Sequence, residues 1–249
     1  GSMDKISLFV ENSVPYIAFD DYTADNRAAV MRFNKSSWDF VGSQGFSEGS
    51  AGFITLYVIK NIPYVGYAEV PEDGRHFVFP KTMKFTDGSW TPMNNGEVPA
   101  SAIGSSLFVN DEGSYMLSLE NGLLKLTDGT WQALTTEPFS GAKFDFASLC
   151  VSNGIPYVIY SDTGDTKKGI VKKLENKKWT KLGTTDISAG EICATSLCAD
   201  NGKIYAAFSD KGNSGNACAL MYNGSEWEHA GKTGFSNGQA YYTTVCVDN

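Results

Sequence analysis

Five acids recur at one point of a repeated phrase. Asp21 closes NSVPYIAFDD, Glu69 precedes the end of NIPYVGYAEV, Asp162 closes NGIPYVIYSD, Asp210 closes NGKIYAAFSD, and Glu120 holds the same place in a shortened copy. Carboxylates in pairs hydrolyse glycosidic bonds when they stand roughly 5–9.5 Å apart, one as acid and one as nucleophile or base. Five equivalent acids are more than that chemistry needs. A short acid at the end of a strand also accepts backbone N–H groups of the turn that follows, which explains the recurrence without catalysis. Asp21-x-x-x-Asp25 and Asp162-x-x-Asp165 lack the spacing of a calcium loop, so neither a metal nor another cofactor is expected.

The acids are positioned by a repeat. The leucines before each phrase are Leu8, Leu56, Leu107, Leu149 and Leu197, with Val245 in sixth place, at steps of 48, 51, 42, 48 and 48 residues. Trp38, Trp90, Trp131, Trp179 and Trp227 keep the same beat. Two residue types sharing a period of 40–50, on strand-like sequence, indicate propeller blades. Residues 147–190 read as four strands (ASLCV, PYVIYSD, IVKKL, WTKLG) separated by Asn, Gly, Asp and Lys turns. No apolar stripe of helical period is present. The expected fold is all-β: a five-bladed β-propeller with four antiparallel strands per blade and a redundant inner strand at one terminus.

Residues 1–3 have the look of a cloning scar, and 4–249 are expected to form a single domain. The repeats run at about 6–53, 54–104, 105–146, 147–194 and 195–242, followed by a closing strand at 243–247. Since 6–10 and 243–247 are both copies of the inner strand, one is expected to close the propeller. The other is displaced or makes an intermolecular contact, giving a monomer or a strand-exchanged oligomer.

A net charge of −8 argues against a nucleic-acid partner, and no run of 18 apolar residues would insert into a membrane. Cys150, Cys198 and Cys246 share a slot with Phe9, Tyr57 and Phe108, which marks them as packing residues. The odd count of five cysteines leaves at least one thiol free. His76 and His229 fall in no triad or metal-ligand pattern.

The unit W-x-x-V/L-G…S-x-G…S-L-x-V…N-G-x-P-Y-V-x-Y-S-D is carried by Trp38/Gly42/Ser47/Gly49, Trp179/Gly183/Ser188/Gly190 and Trp227/Gly231/Ser236/Gly238. It resembles the repeat of a broad, poorly characterised group of bacterial β-propeller proteins, many of them secreted or surface-borne. In architecture it is similar to propeller lectins such as the five-bladed tachylectin and the fucose-binding fungal lectins. The resemblance implies an extracellular or cell-surface setting and a glycan or protein ligand.

Two groups of residues are candidates for a site. The rim loops collect Asp21, Asp25, Glu69, Asp162, Asp165 and Asp210. The residues before the inner strands differ between blades, and there Phe53, Asp145, Phe146, Tyr241 and Tyr242 are expected near the mouth of the central channel, as an aromatic floor for a sugar ring or peptide. The inner strands ISLFV, ITLYV, SSLFV, ASLCV, TSLCA and TTVCV contain no carboxylate, Asp145 alone lying close by. The expected function is therefore a non-catalytic binding or adhesion module, lectin-like, with no catalytic residue. The alternatives are an enzyme of the glycoside hydrolase type, built on Asp145 and a loop acid such as Glu69, or a structural spacer in a longer surface protein.

Overall fold

Asn-Gly, Asp-Gly and Lys-Asn pairs in left-handed backbone close the hairpins, and between them period-2 strands form five antiparallel sheets of four. In the computed structural model the described residues are 6–70, 79–93, 104–110, 113–118, 122–141, 144–162, 164 and 167–247. The chain divides into two compact units, Gly1–Leu134 and Thr135–Asn249.

The first unit holds three sheets. They are β1 (Ile6–Glu11), β2 (Val14–Asp21), β3 (Arg27–Phe33) and β4 (Trp38–Phe40); β5 (Ser50–Ile59), β6 (Ile62–Val70), β7 (Phe79–Thr86) and β8 (Ser89–Pro92); and β9 (Gly104–Asn110), β10 (Gly113–Ser118), β11 (Gly122–Thr127) and β12 (Thr130–Ala133). The second unit holds β13 (Phe144–Ser152), β14 (Ile155–Asp162), β15 (Gly169–Glu175) and β16 (Lys178–Lys181), then β17 (Ile192–Asp200), β18 (Lys203–Asp210), β19 (Asn216–Tyr222) and β20 (Trp227–His229). Every sheet pairs in sequence order, the meander of a propeller blade, and the fold class is a five-bladed β-propeller.

Blades of one unit pack face to face. Tyr16, Ala18, Ala28 and Val30 on β2 and β3 meet Ile54, Leu56, Val58 and Val65 of the next blade in one buried cluster. The tryptophans peg these contacts. Trp90 donates its indole N–H to the Val41 carbonyl (2.8 Å) and Trp227 to that of Leu182 (2.9 Å), each reaching back to the preceding blade. On β1 the apolar residues Ile6, Leu8 and Val10 are exposed, whereas Leu56, the equivalent of Leu8, is buried.

Residues 243–247 lie beside β17 as extended chain, the Thr243 hydroxyl donating to the Ala194 carbonyl and the Val245 N–H to Ser196 Oγ (3.1 Å). Cys246 is exposed there, unlike its buried counterpart Cys150, and Cys198 is half-buried; all five cysteines are free.

Candidate functional site

The residues expected at the channel mouth share a backbone device. Each of β5, β13 and β17 is bulged near its start, at Gly52/Thr55, Asp145/Ser148 and Cys193/Ser196. Within the bulges Phe53 (φ 51°), Phe146 (φ 50°) and Ala194 (φ 52°) are left-handed. A non-glycine residue there is strained by about 1 kcal/mol, and a bulge re-aims the neighbouring side chains. Phe53 and Phe146 are turned out to solvent, Phe146 being 49% exposed. Asp145 beside it is exposed too, and no hydrogen bond or ion pair holds its carboxylate among the described residues. Tyr241 and Tyr242 lie farther along the second unit, Tyr242 at 93% exposure, and no ring contact joins either of them to Phe146.

In the second unit the bulges are linked in series. Thr195 donates to the Phe146 carbonyl, and Thr243 repeats that bond on Ala194. The bulge carbonyls therefore anchor the inner strand that follows, which fixes the direction in which Asp145 and Phe146 project.

The rim acids are placed differently. Asp21 caps the 3-10 turn Tyr22–Ala24, accepting the Thr23 N–H (2.9 Å) and hydroxyl (2.6 Å) on one oxygen and Gln44 Nε2 (2.7 Å) on the other. The Thr23 hydroxyl, aided by Gln44 and the Thr23 N–H, outweighs burial and holds the Asp21 carboxyl below its usual range. Glu69 accepts the N–H groups of Glu48 and Gly49 (both 3.1 Å) and pairs with Lys81 at 3.5 Å. Asp210 accepts Ala189 N–H (2.9 Å) and Gly190 N–H (3.0 Å) from the preceding blade and Gly212 N–H (2.9 Å) from its own turn. Asp162 accepts Gly164 N–H at 3.1 Å, and Asp25 is an exposed left-handed residue ending the Asp21 turn. Asp165 and Glu120 lie outside the described residues.

Glu69 and Asp210 thus act as latches between blades, a role not read from the sequence. The signal was present in Ser-x-Gly, which precedes each latch: the serine hydroxyl accepts a backbone N–H of its own blade and donates to the glycine carbonyl, turning two N–H groups toward the acid. Sequence reading also passed over Asp20, a buried residue with one carboxylate oxygen lacking any partner. In the later blades its place is taken by Ser161 and Ser209, whose hydroxyls donate to the carbonyls of Lys167 (3.0 Å) and Gly215 (2.7 Å). Among the described residues no group of three or more His, Cys, Asp and Glu converges as a metal site, and no helix is long and apolar enough to cross a membrane.

No protein-family model matches the chain, and no curated protein does. Solved structures do. YjhT superposes with a TM-score of 0.63 at 14% identity, over 96% of this chain and 86% of that one. A putative exo-β-1,3-galactanase from Bifidobacterium bifidum s17 gives 0.52 at 10% identity, over 94% and 92%. An engineered GH43 glycoside hydrolase with endo-xylanase and exo-arabinofuranosidase activity gives 0.50 at 14% identity, over 94% of this chain and 53% of that one. At these identities the likeness is one of fold.

It nevertheless corrects the expected non-catalytic binding module. The absence of carboxylates from the inner strands does not exclude hydrolysis, since the same fold is found in the GH43 glycoside hydrolase above. The physical reason is that bulges and strand ends aim side chains as well as inner strands do, and Asp145 stands on such a bulge.

Proposed function

We propose that the protein is a glycan-hydrolysing enzyme of the five-bladed propeller type. The observation that carries this reading is the bulge opening β13, where the unengaged carboxylate of Asp145 stands next to the exposed ring of Phe146. An aromatic face gives a sugar ring an apolar platform, and a carboxyl group beside it can donate a proton to the glycosidic oxygen or, ionised, accept one from the attacking water. Phe146 is the substrate platform and Asp145 one member of the carboxylate pair. Glu69, the other acid considered, is engaged by Glu48, Gly49 and Lys81 and is not assigned. The ligand is an oligosaccharide, met at or outside the cell surface.

The test is hydrolysis of arabinan, xylan and β-1,3-galactan oligosaccharides, followed by chromatography of released sugars. The wild type is expected to release product, and Asp145→Asn to lower kcat at least 100-fold, with the fold retained by circular dichroism. Phe146→Ala is expected to act mainly on KM. Full activity in Asp145→Asn, or no release from any of the three substrates, refutes the reading.

A further inference from the structure

The turns after β2 and β18 are built to one plan. Asp21 and Asp210 each cap a 3-10 turn that ends on a left-handed residue, Asp25 in one and Ser214 in the other. The Asn26 N–H then returns to the Asp21 carbonyl (2.9 Å), and the Gly215 N–H to that of Asp210 (2.8 Å). Asn26 (φ 58°) and Gly215 (φ 73°) are both left-handed. The strands leave in the same register, Asp20 opposite Ala28 and Ser209 opposite Ala217. Asp20 therefore stands where Ser209 does, and Asn26 where Gly215 does.

In the later blades the serine completes a main-chain carbonyl. The Gly215 oxygen accepts the Ala240 N–H (2.8 Å) and the Ser209 hydroxyl (2.7 Å). The Lys167 oxygen accepts the Ile192 N–H (3.3 Å) and the Ser161 hydroxyl (3.0 Å). The Asn26 oxygen accepts the Ala51 N–H (2.8 Å), and by the same geometry its other lone pair faces the carboxylate of Asp20, which when ionised has no proton to donate. Asp20 is only 7% exposed, and no hydrogen bond or ion pair engages its carboxylate among the described residues. Asn26 contributes a further buried oxygen, its Oδ1, equally without a donor.

We infer that Asp20 and Asn26 form a calcium-binding site, in which a carboxylate oxygen, an amide oxygen and a main-chain carbonyl face one cation. Burying a carboxylate without a counter-charge is costly, and a cation meets that charge and the lone pairs of both neighbours at once. A set made only of oxygens, mixing carboxylate with neutral carbonyls, suits calcium, whereas magnesium demands a stricter octahedron at shorter distances. With one carboxylate in the set, the dissociation constant falls at about 0.1–1 mM, the weak end for calcium. The Asn26 carbonyl is also bonded to Ala51 of β5, so the ion braces the first hairpin against the second blade. All of these residues belong to the first unit. The inference stands apart from the hydrolase reading, since it uses neither Asp145 nor Phe146 and is read by binding and stability.

The probe is calcium chloride, added to protein stripped with EDTA and dialysed. Equilibrium dialysis with radioactive calcium is expected to find one ion per chain. Calcium at about 10 mM is expected to raise Tm by about 3–10 °C, and magnesium at the same concentration by less than half as much. Asp20→Ser installs the residue of the later blades, whose hydroxyl can donate to the Asn26 carbonyl. It should melt above the wild type in EDTA and lose the calcium shift. Asn26→Gly, which suits the left-handed backbone, should fold and bind calcium at least tenfold more weakly. A wild type that takes up no calcium at about 10 mM, or that responds equally to magnesium, would overturn the inference. Calcium binding unchanged in Asp20→Ser or in Asn26→Gly would do so as well.

Discussion

Replacing Asp210 by alanine measures what one latch contributes. Its carboxylate is almost wholly buried and accepts three backbone N–H groups, two of them from the preceding blade. A hydrogen bond to a charged group contributes about 1.5–3 kcal/mol, and an N–H left without an acceptor costs about 1–3 kcal/mol when buried. Ala189 lies at the surface and Gly190 is half-buried, so water recovers part of the loss at those two donors. About 1 kcal/mol for each of three donors gives about 3 kcal/mol for Asp210→Ala. At roughly 2–4 °C per kcal/mol for a chain of this size, Tm falls by about 6–12 °C. Asp210→Asn keeps one acceptor oxygen and should lose about half as much. Differential scanning calorimetry at pH 7 reads both, with urea denaturation as a second measure. A fall of less than about 2 °C for the alanine variant would refute the idea that the carboxylate locks adjacent blades.

Further outcomes follow from the same geometry. A Cβ on Gly212 would stand 2.3 Å from the backbone nitrogen of Gly190, so Gly212→Ala is expected to destabilise by about 1–3 kcal/mol in thermal melts. Because Asp21 has its folded-state carboxyl lowered, its contribution is complete above the ordinary value of 3.8 and disappears as pH falls through the lower folded value. Wild-type Tm should therefore drop more steeply than that of Asp21→Asn between about pH 4 and 2. Thiol titration should label exposed Cys246 at once, while Cys150, whose thiol pKa is pushed up by burial, reacts only on unfolding. Trp90→Phe keeps the ring and loses the bond to Val41, which should lower stability by about 1 kcal/mol in urea.

Strand number, strand order and the repeat were legible in the sequence because each rests on local chemistry repeated several times. Left-handed Asn-Gly and Asp-Gly hairpins, period-2 strands and one tryptophan per unit leave little alternative to stacked four-stranded blades. The acids were legible as strand-end acceptors, and Asp21, Asp162 and Asp210 do accept N–H groups of their own turns. That Glu69 and Asp210 also hold the preceding blade was not, since it depends on which way a loop 20 residues earlier turns its N–H groups. Asp145 shows the other limit. Its position before the inner strand was evident, but the bulge that frees its side chain lies in φ at Phe146, and nothing in the letters FDFAS announces a left-handed phenylalanine. Strand alternation likewise gives the direction of side chains within the inner strands and says nothing of the irregular residues at their ends, where Asp145 stands.

The latches have a direction in time as well as in space. Glu48 and Gly49 precede Glu69 by 21 and 20 residues, and Ala189 and Gly190 precede Asp210 by the same intervals. Inner strands are tied to their successors 49 residues later through Ser7–Leu56, Phe146–Thr195 and Ser196–Val245. On the ribosome each blade would emerge with its loop formed and open, and would be secured only when the next second strand cleared the exit tunnel. Assembly through these contacts advances like a ratchet, one tooth per repeat.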